Sequence, residues 1–271
     1  MCSHLHPPPT LPRKVKRHIY MIFLIALLEA ILFVFFFKNT IRKHPAVFYV
    51  LSVAVIGFIV CYTKLNLYEV FPEWTYLYII SVFYRGAFST ALFVIVMYIG
   101  ALNPKGKIVR GLMPIRGYLS IIACLITLAH SFAYGIYYIT AVFKTPEELD
   151  LRQILALILT VPLFLIMIVL MVTSFKAVRK KMEPRVWKNV QRLSYPWFAI
   201  LYVYLMVLLI PGMLESLNPA SGVEMLYQVN YVLSVLVYTV VFGVYLFLRI
   251  RKYKKDQLRR RQNLQKSAVA V

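Results

Sequence analysis

Seven runs of mainly apolar residues divide the chain, at approximately 19–37, 45–64, 76–102, 118–143, 153–175, 193–213 and 227–249, with short polar links between them. Each run is long enough to cross a hydrocarbon core of ~30 Å, which takes ~20 residues as helix. Backbone N–H and C=O groups at that depth have no water to bond, so a self-bonded helix is the element each run predicts. The fold class that follows is all-α, a polytopic integral membrane helix bundle. The links are too short for a soluble catalytic domain, since a Rossmann-type unit alone needs ~30 residues.

Composition agrees with the pattern. Of 271 residues 61% are hydrophobic, against ~45–50% in soluble domains. The charge balance, 31 Lys+Arg against 10 Asp+Glu for a net +21, would suggest nucleic acid in a soluble protein. Its distribution points to a membrane instead. The links after the first, third and fifth runs and the tail from Arg249 hold 23 of the basic residues, the opposite side holds 7, and Arg85 lies inside a run. Basic residues mark the cytoplasmic side, so the tail is expected there, in a plasma-membrane protein with no nucleic-acid partner. Seven spans then put the N-terminus outside, whereas Arg13, Lys14, Lys16 and Arg17 beside the first run favour the inside. The basic tail reads as an orientation signal or as a site for anionic membrane lipids, at ~1 kcal/mol per basic residue.

Known catalytic punctuation is missing. The sequence has no G-x-G-x-x-G, Walker A or H-E-x-x-H pattern. Cys2, Cys61 and Cys124 are far apart and imply no disulfide framework. The opening residues 1–18 lack the parts of a signal peptide and read as a disordered basic arm. Any oxidoreductase role is therefore that of a component, without a nicotinamide or flavin domain of its own, fed by a diffusible carrier or a partner.

Three ionisable residues sit within the runs: Glu29, Arg85 and His130. Each is a functional candidate because charge at bilayer depth is costly. Arg85 can snorkel toward headgroups or pair with Glu29. His130 is the only histidine in the runs; it serves either as a hydrogen-bonded packing residue or as a ligand. Arg116 lies 14 residues before it, close to whole helical turns and ~21 Å of rise, so the two share a face. That stripe suits a flat anionic cofactor and equally an ordinary buried histidine beside a flanking arginine.

The stretch from Arg85 to Tyr134, with Gly86, the link Asn103-Pro104-Lys105-Gly106-Lys107, Arg116-Gly117-Tyr118 and His130, resembles the ferric-reductase-like transmembrane domain. Within that family it is most similar to the haem b membrane subunits that serve periplasmic methionine sulfoxide reductase. A second block, Trp187-Lys188-Asn189-Val190-Gln191-Arg192-Leu193-Ser194-Tyr195, resembles the family's pattern at another helix start. The resemblance implies a six-helix core at 45–249, an extra N-terminal helix and link at 19–44, and a basic tail at 250–271. It also implies haem b on His130, with Arg116 and Arg192 near propionates or a flavin phosphate, Arg85 a further binding candidate, and electrons drawn from quinol or a flavin reductase for a partner protein.

The departures narrow this. Two family histidines are replaced, by Gln191 and Tyr204, so bis-histidine ligation is impossible within one chain. Tyr204 lies 11 residues beyond Leu193 and His130 lies 12 beyond Tyr118, nearly one plane at ~1.5 Å per residue. That makes Tyr204 the candidate opposite ligand, while Pro196 blurs the helical phase between it and Gln191. A haem-free scaffold or assembly protein descended from the family stands as the alternative.

Overall fold

The computed structural model describes residues 22–269, apart from 66, 68, 69, 73, 145–148, 220, 221, 223 and 224. The basic arm at 1–18 therefore lies outside the described residues. The chain forms α1 (Ile22–Lys43), α2 (Pro45–Lys64), a π-helical stretch (Thr75–Ile80) running into α3 (Ser81–Tyr84), α4 (Ala87–Ala101), α5 (Lys107–Leu112), a 3-10 turn (Met113–Ile115) and α6 (Arg116–Lys144). Then follow α7 (Leu151–Ser174), α8 (Lys176–Lys181), α9 (Pro184–Gln191), α10 (Ser194–Leu217) and α11 (Met225–Val269). Among the described residues there is no strand. Among the described residues six helices are long and apolar enough to cross a membrane, or seven if one bent pair counts as a single span. The all-α membrane bundle expected from the runs is what the chain forms.

The helix at the centre is α4, which packs against α1, α3, α6 and α11. Every side chain from Ala87 to Val94 is buried, as befits a helix apolar all round. Outward-facing Leu28, Phe36, Val50, Leu165 and Phe247 are exposed, giving the apolar exterior that lipid requires. The extra helix α1 is part of this core: Phe23, Ala26 and Ala30 are buried in it, and Phe23 stacks on Tyr238 with ring centroids 4.2 Å apart.

The basic links gather at one end. Lys252 donates to the Gly100 carbonyl at 2.6 Å, satisfying an orphan acceptor near the C-terminus of α4. The Arg249 guanidinium lies 4.3 Å over the Tyr195 ring, and the Trp187 indole N–H donates to the Thr173 carbonyl at 3.0 Å. At the other end Asp150 opens α7 with a capping box, its N–H donating to Gln153 Oε1 at 3.0 Å. The irregularity expected at Pro196 falls instead at the turn Arg192–Leu193. Pro196 itself sits in the first turn of α10, where a missing N–H costs nothing.

Candidate functional site

The third run is not one straight helix. It breaks at Arg85–Gly86, where the two halves meet at 69°. The sequence pattern predicts a continuous span because the run 76–102 is mainly apolar, carries no charge apart from Arg85 and holds no proline. Gly86 takes φ +71°, a left-handed conformation that costs other residues ~1–2 kcal/mol. The Gly86 carbonyl is satisfied three ways: by the Thr90 N–H at 3.1 Å, the Thr90 hydroxyl at 2.9 Å and the Ser89 hydroxyl at 3.0 Å. Irregular backbone at membrane depth is tolerated only when buried or lining a cavity, and Gly86 does both.

His130 meets this break. The Tyr84 carbonyl, at the end of α3, accepts a hydrogen bond from His130 Nδ1–H at 2.8 Å. A carbonyl cannot donate, so Nδ1 carries the proton in this bond. The ring packs directly on Gly86, where a β-carbon would come within 3.2 Å of His130 Cγ and 3.3 Å of Cδ2. Glycine is needed here twice over, for its φ and for its missing side chain.

His130 and Tyr204 line one cavity of about 140 Å³, together with Arg85, Gly86 and Thr160. The equal depth reckoned from helical rise therefore corresponds to a shared space. The Thr160 hydroxyl donates to the Ala156 carbonyl at 2.8 Å. Arg85 is exposed. Of the two readings for Arg85, the pair with Glu29 does not form; among the described residues the ion pair is Arg152–Asp150, at 3.9 Å.

A second cavity, of about 260 Å³, lies toward the basic end and is lined by Arg116, Arg179, Gln191 and Trp187. Arg116 Nε donates to the Val96 carbonyl at 3.0 Å, and its guanidinium packs against Gly100, where a β-carbon would sit 2.9 Å from Nη2. Gln191 Nε2 donates to the Thr173 hydroxyl at 2.9 Å. Phe93, Met167 and Trp197 line both cavities and so separate them. Trp197 is fixed by its indole N–H to the Leu163 carbonyl at 2.8 Å, with its ring 4.5 Å from that of Phe93.

The site candidates thus divide between two levels. His130, Tyr204 and Arg85 belong to the deep one, Arg116 and Gln191 to the basic one. Sharing a helical face did not put Arg116 and His130 in one pocket, because ~21 Å of rise separates them. Arg192 lines neither cavity; it is exposed and bonds the Asn189 side chain at 3.1 Å. Sequence reasoning missed Gly100. The signal was there: Gly86, at the cap of α4, and Gly100, near its end, are 14 residues apart, as Arg116 and His130 are on the antiparallel α6. Each small residue faces one large polar partner.

Comparison with known proteins agrees with this part of the chain. Residues 85–203 match the family described as ferric reductase like transmembrane component. The match runs from the break before α4 to the residue before Tyr204, and it bears out the resemblance read in the sequence at the level of that transmembrane family. An uncharacterized protein of Treponema pallidum (strain Nichols) is 37% identical over 166 residues, 61% of this chain and 43% of that protein. The chain thus spans less than half the length of that relative. No solved structure matches the chain.

Proposed function

From the match of residues 85–203 to the ferric reductase like transmembrane component, we propose that this chain is a membrane electron-transfer subunit holding one haem b in the deep cavity, with His130 Nε2 as its axial ligand. The observation that carries the reading is the bond from His130 Nδ1–H to the Tyr84 carbonyl at 2.8 Å. Ligating histidines ordinarily donate their other N–H to a carbonyl or carboxylate, which sets the tautomer and raises basicity. Haem bound there supplies one-electron chemistry. The chain's own part is to orient the imidazole through Gly86 and Tyr84, to keep water out with apolar walls, and to offer Arg85 as the guanidinium lining that cavity. Electrons come from quinol or a flavin reductase and leave to a partner protein, with the basic end cytoplasmic in the plasma membrane. Arg116 and Arg192 have no part in holding this haem, and a flavin phosphate has no assigned residues.

A second reading rests on a specific number. The deep cavity is about 140 Å³, below the ~300–1,000 Å³ of ordinary ligand pockets, which favours a haem-free scaffold. One experiment separates the two: the full chain, purified in detergent, is scanned oxidised and dithionite-reduced, with and without added haem. The haem reading expects a b-type spectrum in the wild type and none in His130→Ala. With one imidazole, the ferrous form should be high-spin and bind carbon monoxide. A wild type that stays colourless after haem supplementation sinks this reading in favour of the scaffold.

A further inference from the structure

The cavity at the basic end has chemistry that the electron-transfer reading leaves unused. Its donors are cationic and its depth is apolar. Arg116 and Arg179 bring two guanidiniums, and among the lining residues there is no carboxylate. Arg116 spends Nε on the Val96 carbonyl, and among the described residues no acid pairs with it. Arg179 is exposed, stacked 4.3 Å over the Trp187 ring. Farther in, the walls are Phe93, Met97, Met167, Leu170 and Trp197.

The surroundings sharpen the need for an anion. Lys252 donates to the carbonyl of Gly100, the residue against which the Arg116 guanidinium packs, and Arg249 stacks on Tyr195 at the same end. A half-buried guanidinium among other cations, without a carboxylate, is unfavourable in a low-dielectric bundle. An oxyanion relieves it, because guanidinium donors match phosphate and carboxylate oxygens in fork geometry. The fixed groups around Arg116 hold it ready. Gly100 leaves room for the guanidinium, and the Val96 carbonyl anchors Nε while both terminal nitrogens remain for a ligand.

We propose that the cavity between α4, α6, α7 and α9 binds an amphiphile with an oxyanion head, the head on Arg116 and Arg179 and the apolar body against Met167, Leu170 and Trp197. The head chemistry is that of a phosphate, which an anionic lipid or a free phosphate could each supply; the apolar walls assign the lipid. This proposal does not depend on haem, and its readout contains none.

The test uses the full chain in detergent, titrated with phosphatidylglycerol, with phosphatidylcholine or with inorganic phosphate, and read by native mass spectrometry and by thermal unfolding. The expected result is one phosphatidylglycerol retained per chain with a raised Tm, and little effect of phosphatidylcholine. Arg116→Gln and Arg179→Gln should each weaken that binding about tenfold, the loss of one charge-assisted contact. Arg192→Gln, outside the cavity, should bind as wild type. Arg179 is exposed, so its variant keeps the test valid if Arg116→Gln does not fold. Equal phosphatidylglycerol retention by wild type and Arg179→Gln overturns the proposal, placing the lipid on the tail or the outer belt. Inorganic phosphate reproducing the full Tm rise overturns the lipid assignment.

Discussion

The two cavities are built on one scaffold and differ in what they offer. At the deep level Gly86 faces His130 and Tyr204 shares the space; at the basic level Gly100 faces Arg116 and Gln191 shares it. The 14-residue spacing along α6, and from the cap of α4 to its end, is what repeats, since close to four helical turns return a residue to the same face. On the opposite wall Gln191 and Tyr204 take the two levels, 13 residues apart. The lesson is that helix packing sets the positions while the side chain at each sets the chemistry. An imidazole bonded through Nδ1 suits a metal, and a guanidinium beside an amide suits an oxyanion.

The two glycines are not equivalent, and substitution should separate them most strongly. Gly86→Ala forces a β-carbon into left-handed backbone and to 3.2 Å from the His130 ring. We expect a loss of about 2–3 kcal/mol in denaturant unfolding in detergent, together with loss of any His130-dependent pigment. Gly100→Ala meets the terminal nitrogens of Arg116, Nη2 at 2.9 Å, in ordinary helical backbone, and gains helix propensity, so its stability should stay within about 1 kcal/mol of wild type. Equal losses in the two variants would break the distinction.

The next test converts the deep level toward the family's pattern. Since Tyr204 and His130 line one cavity, Tyr204→His should replace a high-spin spectrum by sharp low-spin bands and abolish carbon monoxide binding. Gln191→His, at the other level, should leave the spectrum of a His130-bound pigment unchanged. A low-spin shift in Gln191→His rather than Tyr204→His would assign the levels the other way round.

The mildest test leaves both cavities alone and asks which end faces the cytoplasm. In a background without Cys2, Cys61 and Cys124, single cysteines at Lys105, Lys181 and Lys266 should resist an impermeant thiol reagent in intact cells. The prediction follows from the bias of basic residues toward that end. Labelling at two or more of these positions reverses the orientation.

Much of this molecule was written locally. The apolar runs fixed the spans because membrane burial demands ~20 residues of self-bonded backbone wherever they occur, and the seven expected runs correspond to six long helices plus the bent pair. Helical rise placed His130 and Tyr204 at one depth, an outcome of geometry alone. The charge bias predicted links on one side, and contacts such as Lys252 to the Gly100 carbonyl gather them at one end. What the sequence left open depended on partners distant in the chain. The bend at Arg85–Gly86 shows in no hydropathy pattern, since its stability comes from the Ser89 and Thr90 hydroxyls and from His130 on α6 taking the Tyr84 carbonyl. The separation of Arg116 from His130 was equally hidden: a shared helical face says nothing of the Phe93, Met167 and Trp197 side chains that three other stretches of chain insert between two levels. Periodicity reports which side a residue faces, and only packing against the neighbouring helices decides what it meets there.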